Sequence, residues 1–163
     1  MFVLRLPENV NDSIENPSGS RILWDQGLLN GAPTKAELVC HYYLGEAVSS
    51  MQKCSLFPGK GETIIVSTIT GGIFSFLPFS SKEDCNFYQH LEMFLRQEYP
   101  NLCQRDHLSY RSYFQPLKNV IDGDLCERFS LLPYNKQQEL SSNIDKTPTE
   151  IMKKLEDIRN LIL

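Results

Sequence analysis

Between Glu62 and Glu98 the hydrophobic period of the chain changes from two to about 3.6, and this switch limits the fold more than any other feature. ETIIVSTITGGIFSFLPF (62–79) reads as two strands, Glu62 to Ile69 and Ile73 to Leu77, about a Thr70-Gly71-Gly72 turn. Glycine takes the positive φ of a tight hairpin without steric cost. Directly afterwards, Ser80-Ser81-Lys82-Glu83 has the form of a capping box. Phe87, Leu91, Phe94 and Leu95 then fall on one helical face, and Pro100 ends the helix. The predicted order is β first, then α.

The flanks agree with that order. FVLRL near the amino end reads as a strand, followed by PENVNDSIENPSGSR and NGAPTK, rich in Pro, Asn, Ser and Gly and read as surface loop. Trp24, with Leu23, Leu28 and Leu29, gives this loop an apolar anchor. Glu37–Leu44 and Gln52–Phe57 are short runs of strand formers. Beyond Pro100 comes a mixed segment, NLCQRDHLSYRSYFQPLK, and then helices predicted at about 122–132, 134–143 and 148–162. The last opens on Thr147-Pro148-Thr149-Glu150, a capping threonine, a proline at the first helical position and a glutamate at the third. Ile151, Leu155, Ile158 and Ile162 form its stripe. The predicted organisation is therefore a β part over 1–79, with a long irregular loop over 5–36, and a helical domain over 80–163. No internal repeat is visible.

Charge and cysteine content bear on partners. At 163 residues with a net charge of −4, the chain lacks the basic surplus of phosphate-backbone binders, which favours protein partners. Five cysteines, at 40, 54, 85, 103 and 126, are odd in number, widely spaced and without a CxxC, so a disulfide framework is not expected. MFVLRLPENV has no apolar signal core, and no apolar run reaches the roughly 20 residues of a membrane helix. A reducing compartment, cytosol or nucleus, is expected, with no membrane partner.

Several stretches invite a chemical reading. In KNVIDGDLCERF (118–129) two aspartates flank a glycine. A calcium loop would continue with oxygen ligands at alternate positions, where Leu125 and Cys126 stand. The stretch reads instead as a helix start. Asp122 can cap it, with Ile121 stapled onto Cys126, or Asp124 can, with Glu127 completing a capping box. GKGET (59–63) lacks phosphate-loop spacing and precedes a strand, so it reads as a hairpin loop. Cys85, His90, Cys103 and His107 do not make a zinc set, because Cys85 and His90 point about 140° apart on one helix. No nucleophile-base signature is present, and neither an enzyme activity nor a cofactor is expected. RDHLSYRSYF (105–114) interleaves Arg105, His107 and Arg111 with Tyr110, Tyr113 and Phe114. That pattern can stack on single-stranded RNA, but beside the acidic total it reads rather as a half-buried extended segment.

LWDQGLLNGA (23–32), YLGEAVSS (43–50), TGGIFSFLPF (70–79), CQRDHLSYRSYFQPLKNVIDGDLCERF (103–129) and TPTEIMKKLEDIR (147–159) closely resemble one family. It is the carboxyl-terminal end of the splicing factor 3b subunit 3 family, and the resemblance runs over nearly the whole chain. The wider superfamily, which includes the large subunits of the polyadenylation specificity factor and of the damaged-DNA-binding protein, shares IDGDL and the YxxGE turn (Tyr42 to Glu46). The resemblance implies the last strands of a β-propeller followed by a small helical domain. It also implies a nuclear, non-enzymatic scaffold in the U2 small nuclear ribonucleoprotein that helps hold the pre-mRNA branch site. Its implied partners are the HEAT-repeat large subunit and a small subunit, with RNA contact indirect or weak. By superfamily analogy alone, an adaptor of ubiquitin ligation or polyadenylation is the alternative; an RNA-binding module using 105–114 is another. No catalytic residues carry over. Arg105, Asp106, His107, Tyr110, Arg111, Tyr113, Asn119, Ile121, Asp122, Gly123, Asp124 and Leu125 carry over as structural or interface residues.

Length is the departure from that family. A propeller blade takes about 40–45 residues and a ring needs at least four blades, so residues 1–79 cannot close one. The incomplete propeller is expected to need the parent chain's missing blades, and the isolated chain either to self-associate through its β part or to have its amino-terminal third refold as cover.

Overall fold

The computed structural model describes residues 1–6, 36–99 and 116–162. The predicted loop anchor at Trp24, the mixed segment to 115 and Pro100 lie outside them. Among the described residues the order is β1 (Phe2–Arg5), β2 (Glu37–His41), β3 (Val48–Cys54), β4 (Thr63–Thr68), β5 (Ile73–Phe76), α1 (Lys82–Glu98), α2 (Gly123–Glu127), a 3-10 helix (Arg128–Leu131), α3 (Tyr134–Asn143) and α4 (Pro148–Ile162). Strands precede helices, as the change of period predicts.

The chain divides into two compact units, Met1–Tyr43 with Leu108–Val120, and Leu44–His107 with Ile121–Leu163. This division cuts across the boundary drawn at 79–80, because residues after α1 pair with β2. In the first unit β1 and β2 are antiparallel, with Phe2 opposite His41 and Arg5 opposite Glu37. His41 and Lys118 exchange both backbone hydrogen bonds, at 3.0 and 3.1 Å, so Lys118 extends the ladder on β2. Asn119 follows with φ 52, a left-handed conformation asparagine tolerates, and its amide donates to Val39 O at 2.7 Å. His41 is buried, stacked on Phe2 at 4.6 Å, with Nδ1 3.0 Å from Pro116 O.

In the second unit β3, β4 and β5 form an antiparallel sheet in that order. Met51, Val66 and Phe74 align across it, and Val66 is fully buried. The β4–β5 turn places Gly71 at φ 91, where glycine is favoured. Gly72 answers a different need, since a Cβ there would come within 2.8 Å of Thr68 Oγ1. The Thr68 and Thr70 hydroxyls both donate to the Glu46 carboxylate, tying the YxxGE turn to this hairpin.

The core of the second unit is helical. Phe87, Leu91 and Leu95 of α1 pack with Leu125, Cys126, Phe129, Leu140, Ile151 and Leu155, while Phe94, Ile121 and Ile158 are partly buried against them. The last turn of α1 leads to Tyr99 in an extended conformation (φ −110, ψ 95), the backbone a residue before proline prefers.

Four boundaries differ from expectation. The strand over 37–44 stops at His41, and Gly45 turns the chain at φ 82. The strand expected over 52–57 runs Val48–Cys54, because Ser49 Oγ bonds Ser67 across the ladder and Ser55 closes the loop that follows. Ser81, not Ser80, caps α1, its hydroxyl accepting from Asp84 N at 3.3 Å. The helix over 122–132 is five α-helical residues and then a 3-10 turn, ended just before Pro133.

Candidate interaction surface

The most specific motif, Ile121–Leu125, starts α2. Asp122 is its cap: the backbone is extended (φ −83, ψ 101) and Oδ1 accepts from Leu125 N at 3.1 Å. Gly123 and Asp124 are exposed, with Asp124 in the positive first turn of the helix. Ile121 and Cys126 both enter the core, the contact a staple across this cap would make. Beneath the cap lies a residue the sequence did not single out, Glu92, only 3% exposed. Its Oε1 accepts from Asp122 N at 3.2 Å and its Oε2 pairs with Arg96 at 2.9 Å. The signal was present: Glu92 stands beside Leu91 on the apolar face of α1, with Arg96 four residues on.

The thiol below this cap is inert. Burial pushes Cys126 well above its ordinary pKa, and the neighbouring Glu92 carboxylate adds to the shift. Burial raises Tyr88 in the same way; its hydroxyl donates to Lys154 O at 2.6 Å, holding α4 to α1. Lys154 returns an ion pair to Asp84 at 2.5 Å. Among the described residues no three His, Cys, Asp or Glu side chains gather as a metal site.

The second cap, at α4, is reciprocal. Thr147 Oγ1 accepts from Glu150 N at 3.3 Å, and Thr147 N donates to Glu150 Oε2 at 2.7 Å, with Pro148 as first helical residue. Asn119 belongs to the other unit and braces β2. Asp122, Thr147 and Asn119 thus serve three separate elements: Asp122 caps α2 and ties it to α1, Thr147 caps α4, and Asn119 braces β2. Arg105, Asp106, His107, Tyr110, Arg111 and Tyr113 lie outside the described residues.

What faces outward is more suggestive of contact than of chemistry. Between the 3-10 helix and α4 runs a groove of about 470 Å3, with Leu155 and Met152 ringed by Glu127, Lys153, Glu156 and Arg159. Its lining mixes two apolar side chains with charges of both signs. On the strands, Met51, Ile69 and Ile73 are 59%, 72% and 77% exposed.

The family model described as CPSF A subunit region matches residues 1–131. Splicing factor 3B subunit 3 of Danio rerio is 54% identical over 158 residues, 96% of this chain and 13% of that protein. Spliceosome-associated protein 130 A of Arabidopsis thaliana is 47% identical over 164 residues, 100% of this chain and 14% of that protein. Pre-mRNA-splicing factor prp12 of Schizosaccharomyces pombe is 40% identical over 160 residues, 98% of this chain and 13% of that protein. The chain thus spans 13–14% of the length of these relatives. With most of its residues matched by that model, the chain belongs to the CPSF A subunit region family.

Proposed function

We propose that this chain is a non-enzymatic, protein-binding scaffold segment of a splicing factor 3b subunit 3-like protein, acting in the nucleus in pre-mRNA splicing. The carrying observation is that relatives from a fish, a plant and a fission yeast, each named for splicing or the spliceosome, align with 96–100% of it. In this reading the strands contribute to the closing blades of a β-propeller and the helices form the domain at its carboxyl end. Its contacts are with the other splicing factor 3b subunits, the HEAT-repeat large subunit and the small one, in the assembly that holds the branch site. The satisfied caps, the inert Cys126 and the groove beside α4 support a scaffold reading over a catalytic one.

Affinity purification of the full-length protein containing this chain tests the proposal. Recovery of branch-site splicing proteins is the expected result. Recovery of cullin or polyadenylation proteins in their place would transfer the chain to another branch of the superfamily.

A further inference from the structure

The last carbonyls of an α-helix have no partner inside the helix and sit at the negative end of its dipole. At α4 they are met by a loop 100 residues away in sequence: Lys60 Nζ donates to Asn160 O at 2.7 Å. Next to it, Gly61 N donates to Leu161 O at 3.1 Å. Both donors sit on the β3–β4 hairpin, whose shape is fixed from within. Ser55 Oγ donates to Phe57 O at 2.7 Å and to Lys60 O at 3.0 Å, Lys60 N donates to Phe57 O, and Gly59 turns at φ 81. In the middle of α4, Tyr88 and Asp84 hold Lys154 to α1, and in its last turn Arg159 pairs with Glu127 at the end of α2. The hairpin therefore meets the backbone carbonyls of the last turn, while side chains hold the helix at Lys154 and Arg159.

We propose that the β3–β4 hairpin is a latch on the last turn of α4, with the Lys60 ammonium as its charge-sensitive element and Ser55 as the brace that presents it. Closed, it registers the final helix on the strand sheet. With the Lys60 charge removed, the last turn frays while the rest of α4 stays in the core.

Amide hydrogen exchange on the full chain tests it, comparing residues 158–161 with 151–155. Lys60→Met and Ser55→Ala are each expected to speed exchange of the last-turn amides about two- to five-fold, the scale of one charge at a helix end. Residues 151–155 should keep their wild-type protection, and Lys60→Arg, which retains the charge, should stay close to wild type. Added salt should narrow the gap between wild type and Lys60→Met. Unchanged last-turn exchange in both variants would overturn the latch. So would equal acceleration along the whole of α4, because the loop would then be a general support and not a local device.

Discussion

Asp122 N donates to Glu92 Oε1 at 3.2 Å, so the cap of α2 is fastened to a carboxylate buried in the middle of α1, 30 residues earlier. The same carboxylate holds Arg96 through its other oxygen. One side chain thereby meets a cap and a cation and offsets its own burial, since a buried charge is tolerated only when paired and hydrogen-bonded.

Removing it should be costly. Glu92→Ala removes the carboxylate that accepts from Asp122 N and pairs with Arg96, and is expected to cost about 1–3 kcal/mol, the scale for losing one partner of a buried polar contact. The side chain of Arg96 retains 24% exposure, so water compensates part of the loss. Glu92→Gln keeps an acceptor and should cost less. Urea unfolding gives the answer: midpoints in the order wild type, Gln, Ala at constant slope are expected. Equal midpoints for wild type and Ala would show the network to be energetically idle.

Asp122 acts through its own side chain as well as its backbone. Asp122→Ala should cost on the order of 1 kcal/mol through the lost bond to Leu125 N, and Asp122→Gly less. Calcium or magnesium should leave the melting temperature unchanged, because a cation bound only by the native state would raise it. A rise of several degrees with metal, absent in the Asp122 variants, would make the DGD stretch a cation site.

Features set by near neighbours in sequence were the legible ones. The Thr70-Gly71-Gly72 turn, the Thr147–Glu150 box and the stripe of Phe87, Leu91 and Leu95 each follow from spacings of two to four residues. The start of β3 at Val48 was hidden because Ser49 and Ser50 are poor strand formers; Ser49 is held there by its hydroxyl bond to Ser67 and Ser50 by its place in the ladder. The choice between Asp122 and Asp124 as cap stayed open in the sequence, since either aspartate satisfies local capping rules. Glu92, thirty residues away, decides for Asp122. Lys60 on the end of α4 was invisible for the same reason: its partner lies 100 residues downstream.

Two exposed carboxylates should shape the acid side of stability. The Thr147 N–H first, and then its hydroxyl, hold Glu150 below its ordinary pKa; the Thr68 hydroxyl first, then that of Thr70, do the same for Glu46. A carboxylate lowered on folding contributes stability that is fully present above its unfolded value, about 4.3, and is lost as pH falls through the folded value. Melting temperature should therefore be level near pH 6 and fall below about pH 4.5. The deficit of Glu46→Gln or Glu150→Gln against wild type should be largest near neutrality and shrink in acid. A deficit that grows on acidification would reverse the sign and remove these two groups from the explanation.

The strand surface leads to the last prediction. Among the described residues, β3 and β5 are the outer strands of their sheet, and outer strands that lack cover are templates for pairing with another chain. Met51 on β3 and Ile73 on β5 are 59% and 77% exposed, with Ile69 at 72% on the turn between β4 and β5. An isolated chain with such edges should self-associate through its β part, with mass rising with concentration in size exclusion coupled to light scattering. Replacing Met51 or Ile73 with lysine, a charge of the kind that natural edge strands use against pairing, should return it toward a monomer. The helical part should keep its hydrogen-exchange protection whether or not the strands associate, since the buried residues of its core lie on α1 to α4 and the 3-10 helix and none on a strand. A concentration-independent monomer whose strands β3 to β5 resist exchange would mean that the sheet is already closed within the chain.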